Sequence, residues 1–269
     1  VDPTLQARLS VVLREAPYAQ LVSEGRLSVA LVDLTNPDSI RFAGRDVDRM
    51  QYAASLPKIG ILAGVFDQIE KGNIVYTPEL RAKLELMIRK SDNATSSELI
   101  RLVGFQNIAN TLQAPRHELF DPARRGGIWV GRGFGGLGLW RRDPIASTSH
   151  GATARQAARF FVLIDRGELV SPWASAEMKS ILAEPAIHHK FVRGLENDRP
   201  GSVIYRKSGT WRNYHADAAM VERDGKKYVA VALLQSRGNS TQGVLASLIL
   251  RLDDMIFRPA GFGTAAGEY

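Results

Sequence analysis

Leu5, Leu9, Val12 and Leu13 recur at helical spacing with Arg8, Arg14 and Glu15 among them, which predicts an amphipathic first helix. Leu27 to Leu34 reads LSVALVDL, an apolar run with β-branched residues that predicts a strand. The turn Asn36-Pro37-Asp38 closes it, and Ile40 to Ala43 is expected to return as its hairpin partner. From Ser55 to Glu70 the apolar spacing becomes helical, and Gly72 follows where a helix end wants a residue tolerant of left-handed dihedrals. Further helices are predicted over Pro78 to Arg89, Thr95 to Val103, Gln106 to Leu112, Thr153 to Asp165 and Trp173 to Leu182. Strands return at Ser202 to Lys207, Ala216 to Glu222 and Tyr228 to Gln235, with Asp224-Gly225 as a tight hairpin signal between the last two. A closing helix is predicted over Thr241 to Phe257, and the Gly- and Ala-rich stretch Ala260 to Tyr269 is expected to fray.

This order of helix, strands, many helices, strands and helix predicts an α/β (α+β) fold: an antiparallel sheet assembled from both chain ends, with a helical insertion. One domain over 1–269 is expected, its sheet part drawn from 1–47 and 187–269 and its helical part from 48–186. At 269 residues and 45% hydrophobic content the chain can bury an ordinary core. The longest apolar run, Ile59 to Phe66, stops at Asp67, well short of the roughly 18 residues a membrane helix needs. No membrane span is expected.

Charge changes the picture modestly. Lys and Arg total 35 against 28 Asp and Glu, a formal charge of +7 that favours acidic partners such as wall polymers or anionic surfaces. No run of five basic residues and no RNA-binding aromatic signature occurs, so nucleic-acid binding is not expected. With no cysteine, disulfides, thiolate zinc sites and cysteine nucleophiles are excluded. The start at Val1 leaves room for an export signal already removed.

Three short motifs carry candidate chemistry. In Ser55-Leu56-Pro57-Lys58, positions i and i+3 of a helix share a face, so a neutral Lys58 amine could take the Ser55 proton. Such a lysine must be buried or crowded by positive charge to be neutral. A chain of this size holds roughly one Ser-x-x-Lys by chance, so a helix cap with a surface lysine is the plainer reading of the tetrad taken alone. In Ser91-Asp92-Asn93 a hydroxyl could relay a proton while the Asn amide grips a substrate carbonyl, or the tripeptide could be a plain helix cap. Lys207-Ser208-Gly209 is expected to end an apolar strand, where lysine and hydroxyl could meet a carboxylate and glycine admit substrate backbone.

Each pattern occurs once, in the order found in class A β-lactamases and penicillin-binding proteins, and the chain resembles that serine β-lactamase and penicillin-binding superfamily over nearly its whole length. The resemblance implies a β-lactamase-like fold and an acyl-enzyme on Ser55, with Lys58 as base partner and Ser91 as proton shuttle. It implies that Asn93 holds the substrate side-chain amide, that Lys207 and Ser208 orient a substrate carboxylate beside Gly209, and that the N–H groups of Ser55 and Thr210 form the oxyanion hole. Arg212 or Arg237 could add to the carboxylate contact. A small-molecule substrate, either a β-lactam or a D-Ala-type peptide, a monomer and a periplasmic or secreted location also follow from it.

The chain departs from the pattern at one point: no Glu followed four residues later by Asn stands between the second and third motifs, where class A enzymes position the deacylating water. Glu118 is the substitute to test, with Asp121 and Asp143 behind it. Gly131, Gly133 and Gly136 spell G-x-G-x-x-G, but no helix pattern follows, so a loop bordering the cleft is expected rather than a dinucleotide site. His150 leads into a helix and is read as a cap-adjacent histidine that could face the site floor. Adjacent His188 and His189 cannot share a face, so no metal or other cofactor is expected. Beside β-lactam opening, three readings stay open: a D,D-peptidase or amidase, a sensor that is acylated once, and a basic surface-binding protein.

Overall fold

The computed structural model describes residues 1–123, 125–236 and 241–258. From the N-terminus run α1 (Pro3–Val12), α2 (Tyr18–Ser23), β1 (Leu27–Asp33), β2 (Arg41–Arg45) and the short β3 (Gln51–Tyr52). The helices α3 (Lys58–Glu70), α4 (Pro78–Arg89), α5 (Asn93–Val103) and α6 (Phe105–Gln113) follow. Short strands β4 (Phe120–Asp121), β5 (Gly126–Gly127), β6 (Trp129–Val130) and β7 (His150–Ala152) precede α7 (Ala154–Asp165), α8 (Pro172–Leu182) and α9 (Phe191–Asp198). The described chain closes with β8 (Val203–Trp211), β9 (Tyr214–Arg223), β10 (Lys226–Gln235) and α10 (Thr241–Phe257). The expected frayed stretch, 260–269, lies outside the described residues.

The main sheet is antiparallel in the order β2-β1-β10-β9-β8, so strands from the two chain ends meet at β1 and β10, with Leu27 opposite Leu234 and Asp33 opposite Tyr228. Both faces are covered, which is why β1 is buried along its whole length. Leu27, Val29 and Leu31 pack into one core with Leu5 and Leu9 of α1 and Leu245, Leu248 and Leu252 of α10. Their neighbours Ala30 and Val32 face the other core, which continues through α3, α5, α6 and α7. The period of two along the strand thus splits the interior into two layers. Among the described residues no helix is long and apolar enough to cross a membrane.

Two boundaries differ from the expected ones at positions that matter. The helix expected from Ser55 begins at Lys58. Pro57 offers no backbone N–H and disfavours helical dihedrals at Leu56, so the regular helix starts only after it. The strand expected to end at Lys207 runs on to Trp211, paired throughout with β9. Its polar end is hidden from a hydrophobicity pattern because Arg206, Lys207 and Ser208 are buried while making hydrogen bonds. The unpredicted α2, α9 and β4 to β7 are short or lie in polar, Gly-rich stretches with no clear period.

Candidate active site

Ser55 lines a cleft of about 580 Å³ between the end of β8 and the loop 132–136. The chain reaches it through a tight bend. Ala54 has φ +51°, and the N–H groups of Lys58, Ile59 and Gly60 donate to the carbonyls of Ser55, Leu56 and Pro57 at 3.2, 3.2 and 2.8 Å. Ser55 therefore stands on the turns that open α3 rather than on the helix itself.

Lys58 is fully buried at the start of α3, and its Nζ donates to the Ser91 carbonyl at 2.5 Å, Asn93 Oδ1 at 2.8 Å, the Asp92 carbonyl at 3.3 Å and Ser91 Oγ at 3.4 Å. The Phe134 ring covers it, 4.6 Å away. Burial lowers its pKa to about 7, against the pull of Asp92. Among the described residues the amine makes no hydrogen bond to the Ser55 hydroxyl, contrary to the expected helical pairing. Several oxygens on the Ser91 side satisfy a buried ammonium better than one hydroxyl can.

Ser91-Asp92-Asn93 is both a cap and part of this cluster. Asp92 Oδ1 accepts from the Thr95 N–H at 2.7 Å and so fixes the start of α5. Ser91, at φ +58°, turns its hydroxyl toward Lys207, whose Nζ donates to it at 2.9 Å and to the Ser208 carbonyl at 2.7 Å. Lys207 is also buried, and desolvation, then the charge of Lys58, push its pKa well down. Parts of all three motifs, drawn from α3, α5 and β8, thus join in one hydrogen-bonded network.

β8 is the sheet edge that faces this network. A Cβ on Gly209 would lie 2.1 Å from the Ala53 carbonyl oxygen and 2.8 Å from the Ser55 nitrogen, so only glycine lets the strand come this close. The two-residue turn Arg212-Asn213 makes Trp211 and Tyr214 a hydrogen-bonded pair. The next pair, Thr210 and His215, is then non-bonded across the ladder, which points the Thr210 N–H off the free edge toward the Ser55 side. Thr210 and Arg212 are exposed and line the cleft, whereas Ser208 is buried behind its rim. Arg237 lies outside the described residues.

Lys190 supports this strand, and no sequence signal announced it. Fully buried, it donates from Nζ to the Gly209 carbonyl at 2.7 Å, Thr210 Oγ1 at 2.8 Å and the Ala216 carbonyl at 3.2 Å. Burial lowers its pKa to about 7. The buried pair Arg206–Asp217, 2.6 Å apart, stands beside it, and Asp217 also accepts the Phe191 N–H at 3.1 Å. Lys190 follows His188-His189 in a polar stretch with no period, so only the tertiary fold shows its place.

The opposite wall is the glycine-rich loop. Ser97 Oγ accepts the Phe134 N–H at 3.0 Å and donates to the Phe134 carbonyl, anchoring the loop to α5. A Cβ on Gly135 would lie 3.3 Å from the Asn93 Cβ. Arg132 bridges back to Leu139 and no helix follows, in keeping with a loop bordering the cleft. His150 does line the cleft; its ring stacks on Phe134 at 4.2 Å and its Nε2 donates to the Arg132 carbonyl at 2.8 Å. Burial lowers its pKa to about 4, so it is neutral near pH 7.

The structure does not bring the candidate carboxylates to Ser55. Glu118 lines a separate cavity of about 650 Å³ with Phe42 and Phe120, and pairs with Arg159 at 3.6 Å. Asp121 accepts the Ala123 N–H at 2.9 Å in a turn at the same cavity. Asp143 is buried, and its oxygens accept from the N–H groups of Ile145, Ala146 and Thr148 and the Thr148 hydroxyl. Among the described residues no Asp or Glu lines the Ser55 cleft.

The model of the Beta-lactamase enzyme family matches residues 75–250. That stretch holds Ser91-Asp92-Asn93 and Lys207-Ser208-Gly209, while Ser55 and Lys58 precede it. No curated protein matches the chain. Among solved structures, a beta-lactamase from Sphaerobacter thermophilus superposes with a TM-score of 0.70 at 15% identity, covering 92% of this chain and 96% of that one. PBP-A gives 0.68 at 20% identity over 93% and 94%, and a beta-lactamase from Chitinophaga pinensis 0.67 at 17% over 88% and 96%. At such identities these likenesses speak for the fold, which is the β-lactamase fold of helices around an antiparallel sheet. With two of the three motifs inside the matched region, the chain belongs to the beta-lactamase enzyme family and is a serine hydrolase of the β-lactamase and penicillin-binding kind.

Proposed function

We propose that this protein opens β-lactam amides by forming an ester on Ser55, and that it releases the acyl group slowly. The observation that carries this reading is the Ser91 hydroxyl held between the amines of Lys58 and Lys207 beside the Ser55 cleft. In the proposed reaction Lys58, with its pKa near 7, accepts the Ser55 proton directly or through a water as Oγ bonds to the carbonyl carbon. The oxyanion sits between the N–H groups of Ser55 and Thr210. Collapse breaks the C–N bond, and the departing nitrogen takes its proton from Lys58 through Ser91. Asn93 Nδ2 remains for a substrate carbonyl while its Oδ1 holds Lys58. Lys207 and the Thr210 side of β8 meet the substrate carboxylate.

The slow release rests on the missing carboxylate. Hydrolysis of the ester needs a water deprotonated near the carbonyl, and His150, whose pKa burial lowers to about 4, is a weak base for that step. The same feature favours, as a second reading, a D,D-peptidase or a penicillin-binding sensor. A PBP-A variant has been captured as an acyl-enzyme complex with penicillin G, which fits either. An extracytoplasmic site of action is part of the proposal.

Intact-mass measurement after mixing with excess benzylpenicillin tests it. A persistent adduct of one penicillin mass, absent in Ser55→Ala, is the expected result. No adduct, or an adduct that survives Ser55→Ala, would overturn the proposal. An adduct that decays within seconds to hydrolysed drug would overturn its slow-release part alone. Release of D-alanine from a D-Ala-D-Ala peptide would favour the peptidase.

A further inference from the structure

Part of the chain's positive charge stands where substrate must enter. Arg132, Arg142 and Arg212 all line the Ser55 cleft, and among the described residues no carboxylate lines it with them. Several arginines elsewhere are matched to acids: Arg155 to Asp48 at 2.6 Å, Arg199 to Asp253 at 2.9 Å and Arg206 to Asp217 at 2.6 Å. In the cleft, Arg142 donates only to the Ser147 carbonyl at 2.9 Å, and Arg212 lies 5.8 Å over the Trp211 ring. The exposed Arg132 guanidinium makes neither an ion pair nor a hydrogen bond among the described residues. Its charge nonetheless reaches inward, acting on the Tyr52 hydroxyl and on His150. Unpaired guanidinium groups in a concave, partly apolar site focus potential and recruit anions.

These charges stand on two walls. Arg212 belongs to the turn after β8 and follows Thr210 and Trp211, the last residues of that strand. Arg132 and Arg142 flank the glycine-rich loop, whose Gly135 packs on Asn93. A substrate with a single carboxylate uses the first wall and leaves the second uncompensated. We propose that the cleft selects acyl donors with two anionic groups, one carboxylate at the β8 end and a second on the acyl side chain, held by Arg132 and Arg142. This rests on the acyl-enzyme reading, in which the acyl side chain lies along Asn93 and reaches the loop. The β7 strand supports the arrangement, since neutral His150 fixes the Arg132 backbone without adding charge of its own.

Benzylpenicillin and its α-carboxy derivative carbenicillin differ by one side-chain carboxylate and make a suitable pair of probes. The measurement is the second-order rate constant for Ser55 acylation by each, followed by intact mass. Carbenicillin is expected to react on the order of tenfold faster, with the ratio shrinking as salt is added. Arg132→Gln and Arg142→Gln together should bring the ratio to about one, and Arg132→Lys should keep most of it. A ratio at or below one in the unmodified protein, or a ratio indifferent to both Gln replacements, would overturn the proposal. If neither probe acylates Ser55 the preceding reading fails, and this one falls with it.

Discussion

At the scale of single residues the site turns on where Lys58 puts its proton. Buried among Phe134, Ser91 and Asn93, its amine is held near a pKa of about 7, so the free-base form grows as pH rises through that value. The acylation rate constant of Ser55 is therefore expected to climb with unit slope below about pH 7 and to level off above it. Lys58→Arg keeps the charge but cannot release it, and should slow acylation by roughly a hundredfold or more at every pH. A flat profile in the unmodified protein would mean that another group is the base. Ser55, Lys58, Ser91, Asn93 and Lys207 were singled out in the sequence by the order of three short motifs, each of which alone also fits a cap or a strand end, and the fold brings the last four to one cluster. Phe134 and Lys190 were not: each acts through a neighbour supplied by a distant segment, α5 for the one and β8 for the other.

At the scale of elements, the proposed acylation depends on how closely β8 lies against the bend before α3. Gly209 sets that distance, since a methyl group there would strike the Ala53 carbonyl and the Ser55 and Leu56 nitrogens, all of them backbone atoms that no rotamer change can move. Gly209→Ala should cost about 1–3 kcal/mol in stability. It should also slow acylation more than tenfold, because a shift of about 1 Å in the donors of the proposed oxyanion hole is felt strongly. Denaturant midpoints and adduct kinetics on the same sample read the two effects. An alanine variant that reacts at the original rate would show that the strand does not have to sit this close. The hydrophobic pattern located every long helix and four of the five strands of the main sheet nearly in place, but it cut β8 short at the residues that matter here. Binary patterning reads exposure, and Lys207 and Ser208 are polar yet buried, so the continuation of β8 to Trp211 is set by pairing with β9 rather than by its own composition.

At the scale of the whole molecule, Lys58, Lys190 and Lys207 are buried, and this ties folding to pH. Lys190 has a folded pKa of about 7 against an ordinary value of 10.5. Between those values the unfolded chain binds a proton that the folded chain does not, so stability rises with pH across the window. The desolvation penalty is fully present below about pH 7 and is gone once the unfolded lysine has also lost its proton. Replacing Lys190 by Met removes this contribution and also the three hydrogen bonds that tie Gly209, Thr210 and Ala216 together. The lost hydrogen bonds shift stability at all pH values, whereas the lost titration changes only the slope. Urea unfolding at a series of pH values from 7 to 10 separates the two: the difference between the unmodified protein and Lys190→Met should widen steadily in favour of the former as pH rises. A constant difference would mean that Lys190 stays charged in the folded state, held by its three oxygens and Asp217, and that β8 is braced by an ammonium ion rather than by a neutral amine. The effect reaches the cleft because the strand that Lys190 braces also lines it at Thr210.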